Sequence, residues 1–151
     1  VDPRRRVQGI MFWALAVLAA VVAPDEPHEL CDARFFFHQL LAGEAVAAPE
    51  AASGVQQRQL FNFAKSMQNF VYLIGDAQTK ECVAVDAAYD PEGVLARAEA
   101  LGCNVTGFVA THFHWDHIGH NGQTFGGPGM HVPGMALFAT RGLPTYIHES
   151  E

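Results

Sequence analysis

The sequence predicts an α/β fold from three observations: two short β-branched and aromatic runs joined by a turn, a helical repeat that starts at a proline, and an apolar run that ends in polar residues. The length agrees, because 151 residues supply one ordinary core and not two. Half of the residues are apolar and 17% are charged, which excludes a disordered or collagen-like chain. A formal charge of −7 with no basic stripe excludes an electrostatic nucleic-acid binder.

At the start of the chain, Arg4, Arg5 and Arg6 precede an unbroken apolar run over residues 10–23 that ends at Pro24. A basic stretch followed by an apolar run too short to span a bilayer comfortably has the layout of a signal peptide, with Val21 and Ala23 at the small-residue cleavage positions. A packed apolar helix is the equal alternative. Residues 1–24 are therefore expected to form a signal or anchor segment. Secretory or organellar targeting would follow from residues 4–23, and a cytoplasmic location otherwise. Membrane contact is expected only if residues 10–23 remain as an uncleaved anchor.

Residues 25–58 turn to acid, Ala and Pro, with an aromatic knot at Phe35, Phe36 and Phe37. Residues 48–54, Ala-Pro-Glu-Ala-Ala-Ser-Gly, have small side chains and no periodicity, so a low-complexity linker is expected here. The ordered domain is expected over residues 59–151.

Within it, residues 70–74 and 82–86 read as the strands of a hairpin, with the turn running from Gly75 through Lys80. Asp90 can cap a helix with Pro91 at its first position, and Val94, Leu95, Ala98 and Leu101 recur at helical spacing before Gly102 stops it. Residues 105–111 form a third strand. Strand, helix and strand in this order present chemistry at the carboxyl edge of a sheet. Six glycines from Gly119 to Gly134, with Pro128 and Pro133, predict a surface loop. Residues 135–140 are a short helix and residues 145–148 a final strand.

Cys31, Cys82 and Cys103 are odd in number and lack C-x-x-C spacing, which argues against a disulfide framework and a cysteine zinc site. Histidine is the residue in excess: eight in all, four of them between Thr111 and His120. In an extended backbone positions i and i+2 project to one side, so His112 and His114 can reach one metal ion while Phe113 and Trp115 turn into packing. Asp116 and His117 need a bend to face the same pocket, where they can hold a second ion. Imidazole with carboxylate suits zinc best, and iron or manganese accept the same ligands.

The run Thr111-His-Phe-His-Trp-Asp-His117 after a strand resembles the metal-binding loop of the metallo-β-lactamase superfamily. Asn69-Phe-Val-Tyr-Leu-Ile-Gly75, the strand end Val83-Ala-Val-Asp86, the helix around residues 94–101, and Val105-Thr-Gly-Phe-Val-Ala-Thr-His112 bring the closer likeness to glyoxalase II-like metallo-hydrolases. The likeness extends over residues 60–150 and leaves out the leader and linker. It implies the first half of an αββα sandwich, incomplete at the C-terminus, with one sheet lacking its partner. An isolated chain of this kind is expected to aggregate or to fold only in part.

The resemblance further implies that His112 and His114 bind a first zinc ion, and that Asp116 and His117 bind a second. Asp116 also orients or accepts a proton in catalysis. Asp86 helps to order the site, or is an ordinary solvated turn residue. The implied reaction is hydrolysis of a small-molecule thioester or ester by metal-bound hydroxide. In the family the remaining ligands come from the half of the fold that follows, so this chain alone is expected to bind metal weakly and to be inactive. Two other readings stand beside it: a mononuclear iron enzyme similar to persulfide dioxygenases, with iron on His112 and His114 alone, and a non-catalytic metal-binding module. His120 is expected in an exposed loop, and His131 and His148 carry no assignment.

Overall fold

The computed structural model describes residues 34–121 and 130–151. The leader over residues 1–24, the first part of the linker, Cys31, and most of the glycine-rich loop lie outside the described residues. Among the described residues no helix is long and apolar enough to cross a membrane.

The linker expected over residues 25–58 is corrected by the structure from residue 34 onward. Phe35–Leu41 is a strand, β1, paired along its whole length with β2 (Phe70–Asp76), Phe35 opposite Asp76 and Leu41 opposite Phe70. The next residues are not a free tether: Ala42, Val46 and Ala47 are buried, and Pro49–Ala51 is a turn of 3-10 helix whose proline is buried. The first helix, α1 (Val55–Met67), also starts ahead of residue 59. Its entry is held by Ser53, whose amide and hydroxyl both donate to Gln57 Oε1 at 2.7 and 2.8 Å. Leu60, Phe61 and Ala64 make its buried stripe, and Gln68 ends it in the left-handed region at φ 57°.

The hairpin forms as its residues predict, with β2 antiparallel to β3 (Glu81–Val85). Asp76 begins the turn by accepting at Oδ1 from the amides of Gln78 (2.7 Å) and Thr79 (3.0 Å), an arrangement typical of a turn aspartate. Helix α2 (Pro91–Ala100) follows, capped by Asp90, whose Oδ1 accepts from the Gly93 amide at 3.0 Å. The other carboxylate oxygen of Asp90 accepts from the Ala47 amide at 3.1 Å, so the cap also pins the segment between β1 and α1. Helix α2 carries the crossover to β4 (Asn104–Val109), which lies parallel to β3. A one-turn helix α3 (Trp115–Ile118), a helix α4 (Gly134–Thr140) and a two-residue strand β5 (Thr145–Tyr146) complete the chain. The loop between α3 and α4 is closed at its base by a His120–Val132 bridge. Gly119 and Gly134, both at positive φ, meet backbone to backbone there, where a Cβ on Gly134 would strike the Ile118 carbonyl.

The five strands form one sheet in the order β1-β2-β3-β4-β5, antiparallel from β1 to β3 and parallel from β3 to β5. One face packs on α2 and α4 through Leu40, Leu73, Ala84, Phe108, Val94 and Phe138, all at 0% exposure. The rings of Phe108 and Phe138 lie 5.0 Å apart at the centre of this layer. The other face carries the alternate residues: Phe35 (51% exposed), Ile74 (42%), Phe70 (38%) and Tyr146 (56%), with Phe37 stacked on Tyr72 at 5.3 Å. An apolar sheet face in contact with solvent among the described residues is what one layer of a sandwich looks like without its second sheet. The α/β expectation therefore stands, as a mixed five-stranded sheet with helices, consistent with part of a metallo-β-lactamase fold.

Candidate metal centre

The sheet brings the polar residues to one edge. Val85 pairs with Val109 where the parallel strands β3 and β4 end, so Asp86 and Thr111 emerge side by side, and the Asp86 amide donates to the Val109 carbonyl at 3.0 Å. Strand β2 runs the opposite way and begins at Phe70, which places Asn69 at the same edge.

Asp86 is 5% exposed and sits in the left-handed region at φ 56°, a conformation that a non-glycine residue keeps only when its surroundings fix it. Three donors do so. Oδ1 accepts from the Thr111 amide at 2.8 Å, and Oδ2 accepts from the Thr111 hydroxyl at 2.8 Å and lies 2.9 Å from His117 Nδ1. Burial alone would push its carboxyl up, but the hydrogen bonds from His117 and Thr111 outweigh it and hold Asp86 below the usual carboxylate range. The alternative of an ordinary solvated turn aspartate does not describe this residue.

The histidines are ordered from this anchor. The Thr111 hydroxyl, having given its proton to Asp86, is 3.0 Å from His112 Nδ1 and is left to accept there, so the lone pair of His112 resides on Nε2. That Nε2 is 2.9 Å from His114 Nδ1, as the i and i+2 spacing predicts. The bend that Asp116 and His117 require is α3, in which the amides of His117 and Ile118 both donate to the His114 carbonyl. It turns the His117 ring to within 4.2 Å of the His112 ring, centroid to centroid. With Nδ1 engaged by Asp86, His117 keeps Nε2 for a ligand, 3.5 Å from Asp116 Oδ2. The hydrogen bond to Asp86 raises the His117 pKa, and the charge of Asp116 adds to it against the opposing effect of burial.

Asp116 is 8% exposed and accepts at Oδ2 from the side-chain amide of Asn69 at 2.8 Å. Asn69 belongs to a stretch that the sequence marks out, but an amide that acts across 47 residues has no local signal. Tyr89 is 2% exposed and lies edge-on to Trp115; burial and then the Asp116 charge push its phenol up. Trp115 packs on Phe63 and Tyr89 as expected. Phe113 does not: it is 57% exposed, because the chain turns into α3 directly after it. His120 is half-buried with its ring against Trp115, not free in a loop. His148 is exposed and pairs with Ser150, and His131 is exposed beside the base of the loop.

The donor set of three imidazoles and one carboxylate within six residues suits a borderline divalent cation such as zinc, with iron or manganese able to use the same atoms. Among the described residues these donors stand as pairs and not as a cage of three around one point. The geometry thus brings together His112, His114, Asp116, His117 and Asp86.

A family model described as the metallo-beta-lactamase superfamily matches residues 65–126, which contain β2, β3, α2, β4 and the histidine loop. The chain is 43% identical over 53 residues to a hydroxyacylglutathione hydrolase of Thermosynechococcus vestitus, covering 35% of this chain and 21% of that protein. It is 37% identical over 73 residues to the hydroxyacylglutathione hydrolase of Rhodospirillum rubrum, covering 48% and 28%. A cytoplasmic hydroxyacylglutathione hydrolase of Arabidopsis thaliana is 38% identical over 63 residues, covering 42% and 24%. The chain thus matches between 21% and 28% of the length of these relatives. No solved structure matches at comparable significance. Residues 65–126 thus match the metallo-β-lactamase superfamily, and within it the chain is similar to the glyoxalase II-like hydroxyacylglutathione hydrolases.

Proposed function

We propose that this chain contributes the metal-binding edge of a glyoxalase II-like hydrolase that cleaves a small-molecule thioester or ester. The observation that carries the reading is the convergence of His112, His114, Asp116 and His117 on the edge ordered by Asp86, in a segment similar to hydroxyacylglutathione hydrolases.

In this reading His112 and His114 hold one divalent cation and Asp116 and His117 hold a second, zinc being the best fit to the donors. A cation bound there supplies Lewis acidity, which lowers the pKa of water and polarises a carbonyl. The rest of the work belongs to the protein. Asp86 orients His117 directly and His112 through Thr111, so that both rings would present Nε2 to a cation, His112 once its contact with His114 opens. Asp116, with Oδ2 engaged by Asn69, keeps Oδ1 to bind or to take up a proton.

The test is release of thiol from a hydroxyacyl thioester of glutathione by the zinc-loaded full-length protein that carries this segment, with and without chelator. Thiol release that the chelator abolishes supports the reading. No release with zinc, iron or manganese on any thioester or ester of this type overturns it.

A further inference from the structure

We infer that Asn69 is a positioning residue for the metal site: its side-chain amide fixes the orientation of the Asp116 carboxylate, so that this ligand is already in place when a cation arrives. The inference rests on the reading of Asp116 and His117 as ligands and extends it to a residue that touches no cation itself.

Asn69 is fixed at both ends. It lies between Gln68, the left-handed end of α1, and Phe70, the first residue of β2, and its carbonyl accepts from the Ala42 amide at 2.9 Å. Its Nδ2 then donates to Asp116 Oδ2 at 2.8 Å. Asp116, by contrast, has little local support. It sits in a helix of four residues, Trp115–Ile118, whose N-cap His114 makes no side-chain capping bond. Asp116 Oδ2 lies 2.8 Å from Asn69 Nδ2 and 3.5 Å from His117 Nε2, so the amide is the nearer of its two polar neighbours.

The chemistry of the amide explains why asparagine suits this position. Nδ2 donates a hydrogen bond without bringing a positive charge, whereas a lysine or arginine here would compete with a cation for Asp116. Without the amide, the buried Asp116 carboxylate loses its donor and is no longer held in one orientation, so a cation has to order it on binding. Partners of this kind, one step removed from the cation, change metal affinity by about 10- to 100-fold when removed.

The experiment is a Co²⁺ titration of the protein read by its visible ligand-field spectrum, for wild type, Asn69→Leu, Asn69→Ala and Asn69→Gln, with circular dichroism to establish that each is folded. Leu keeps the shape and removes the donor, Ala removes the group altogether, and Gln keeps the donor one methylene farther out. Affinity about tenfold or more below wild type in whichever of the Leu and Ala variants folds, with a changed spectrum and partial recovery in Asn69→Gln, supports the inference. Wild-type affinity and spectrum in a folded Leu or Ala variant overturn it and leave the metal reading intact. No Co²⁺ binding by the wild-type protein overturns the metal reading itself, and this inference with it.

Discussion

Asp86 Oδ2 lies 2.9 Å from His117 Nδ1, and the same oxygen accepts the Thr111 hydroxyl that faces His112. One buried carboxylate thus sets two imidazoles that are five residues apart in the chain and 4.2 Å apart between rings.

Replacing Asp86 should therefore disturb both histidines together. Asp86→Asn keeps the volume but can no longer accept from the Thr111 amide, the Thr111 hydroxyl and His117 as a charged group. It is expected to lower zinc affinity by about 10- to 100-fold. Competition against a chromogenic chelator measures this. Unchanged affinity in a folded Asp86→Asn protein would show that the carboxylate only closes a turn.

The exposed sheet face makes a separate prediction. Phe35, Phe70, Ile74 and Tyr146 leave enough apolar surface in water that the 151-residue chain on its own is expected to bind a hydrophobic dye and to self-associate. Ile74→Lys with Phe70→Lys should reduce both effects. Phe108→Ala, on the covered face, should instead cost on the order of 3–5 kcal/mol. A cooperative melt of the unaltered chain with no dye binding contradicts this account of the face.

The hairpin turn gives a pH dependence with a definite sign. The amides of Thr79 and Gln78, followed by the weaker influence of Arg34, hold the Asp76 carboxyl below the usual range. A group whose folded pKa is lowered contributes stability above its unfolded pKa and loses it as pH falls through the folded value. The melting temperatures of wild type and Asp76→Ala should thus differ at neutral pH and converge in acid. A difference that persists unchanged into acid would assign the effect to something other than ionisation of Asp76.

Much of this was legible from local signals. Asp90 followed by Pro91, the hairpin on either side of residues 76–80, and the His-x-His-x-Asp-His run each carry their structure in a few adjacent residues. β1 was not legible, because Phe35–Leu41 shows no alternation of apolar and polar residues and its partners lie 29 to 41 residues away in β2. α1 was not read as a helix at all, because only Leu60, Phe61 and Ala64 are buried and its entry depends on a Ser53–Gln57 contact that composition hides. In the site, the ligand candidates were visible as residue types. The roles of Asn69 with Asp116, and of Asp86 with two histidines, exist only once the sheet edge has brought them together.

The central claim is that the histidine loop holds divalent cations, and a zinc titration of wild type against the double variant His112→Ala with His114→Ala tests it most directly. The account predicts that zinc binds the wild-type protein and that the variant, with unchanged circular dichroism, binds at least about tenfold more weakly. Equal affinity in the two proteins, or no zinc binding by the wild type, would contradict it.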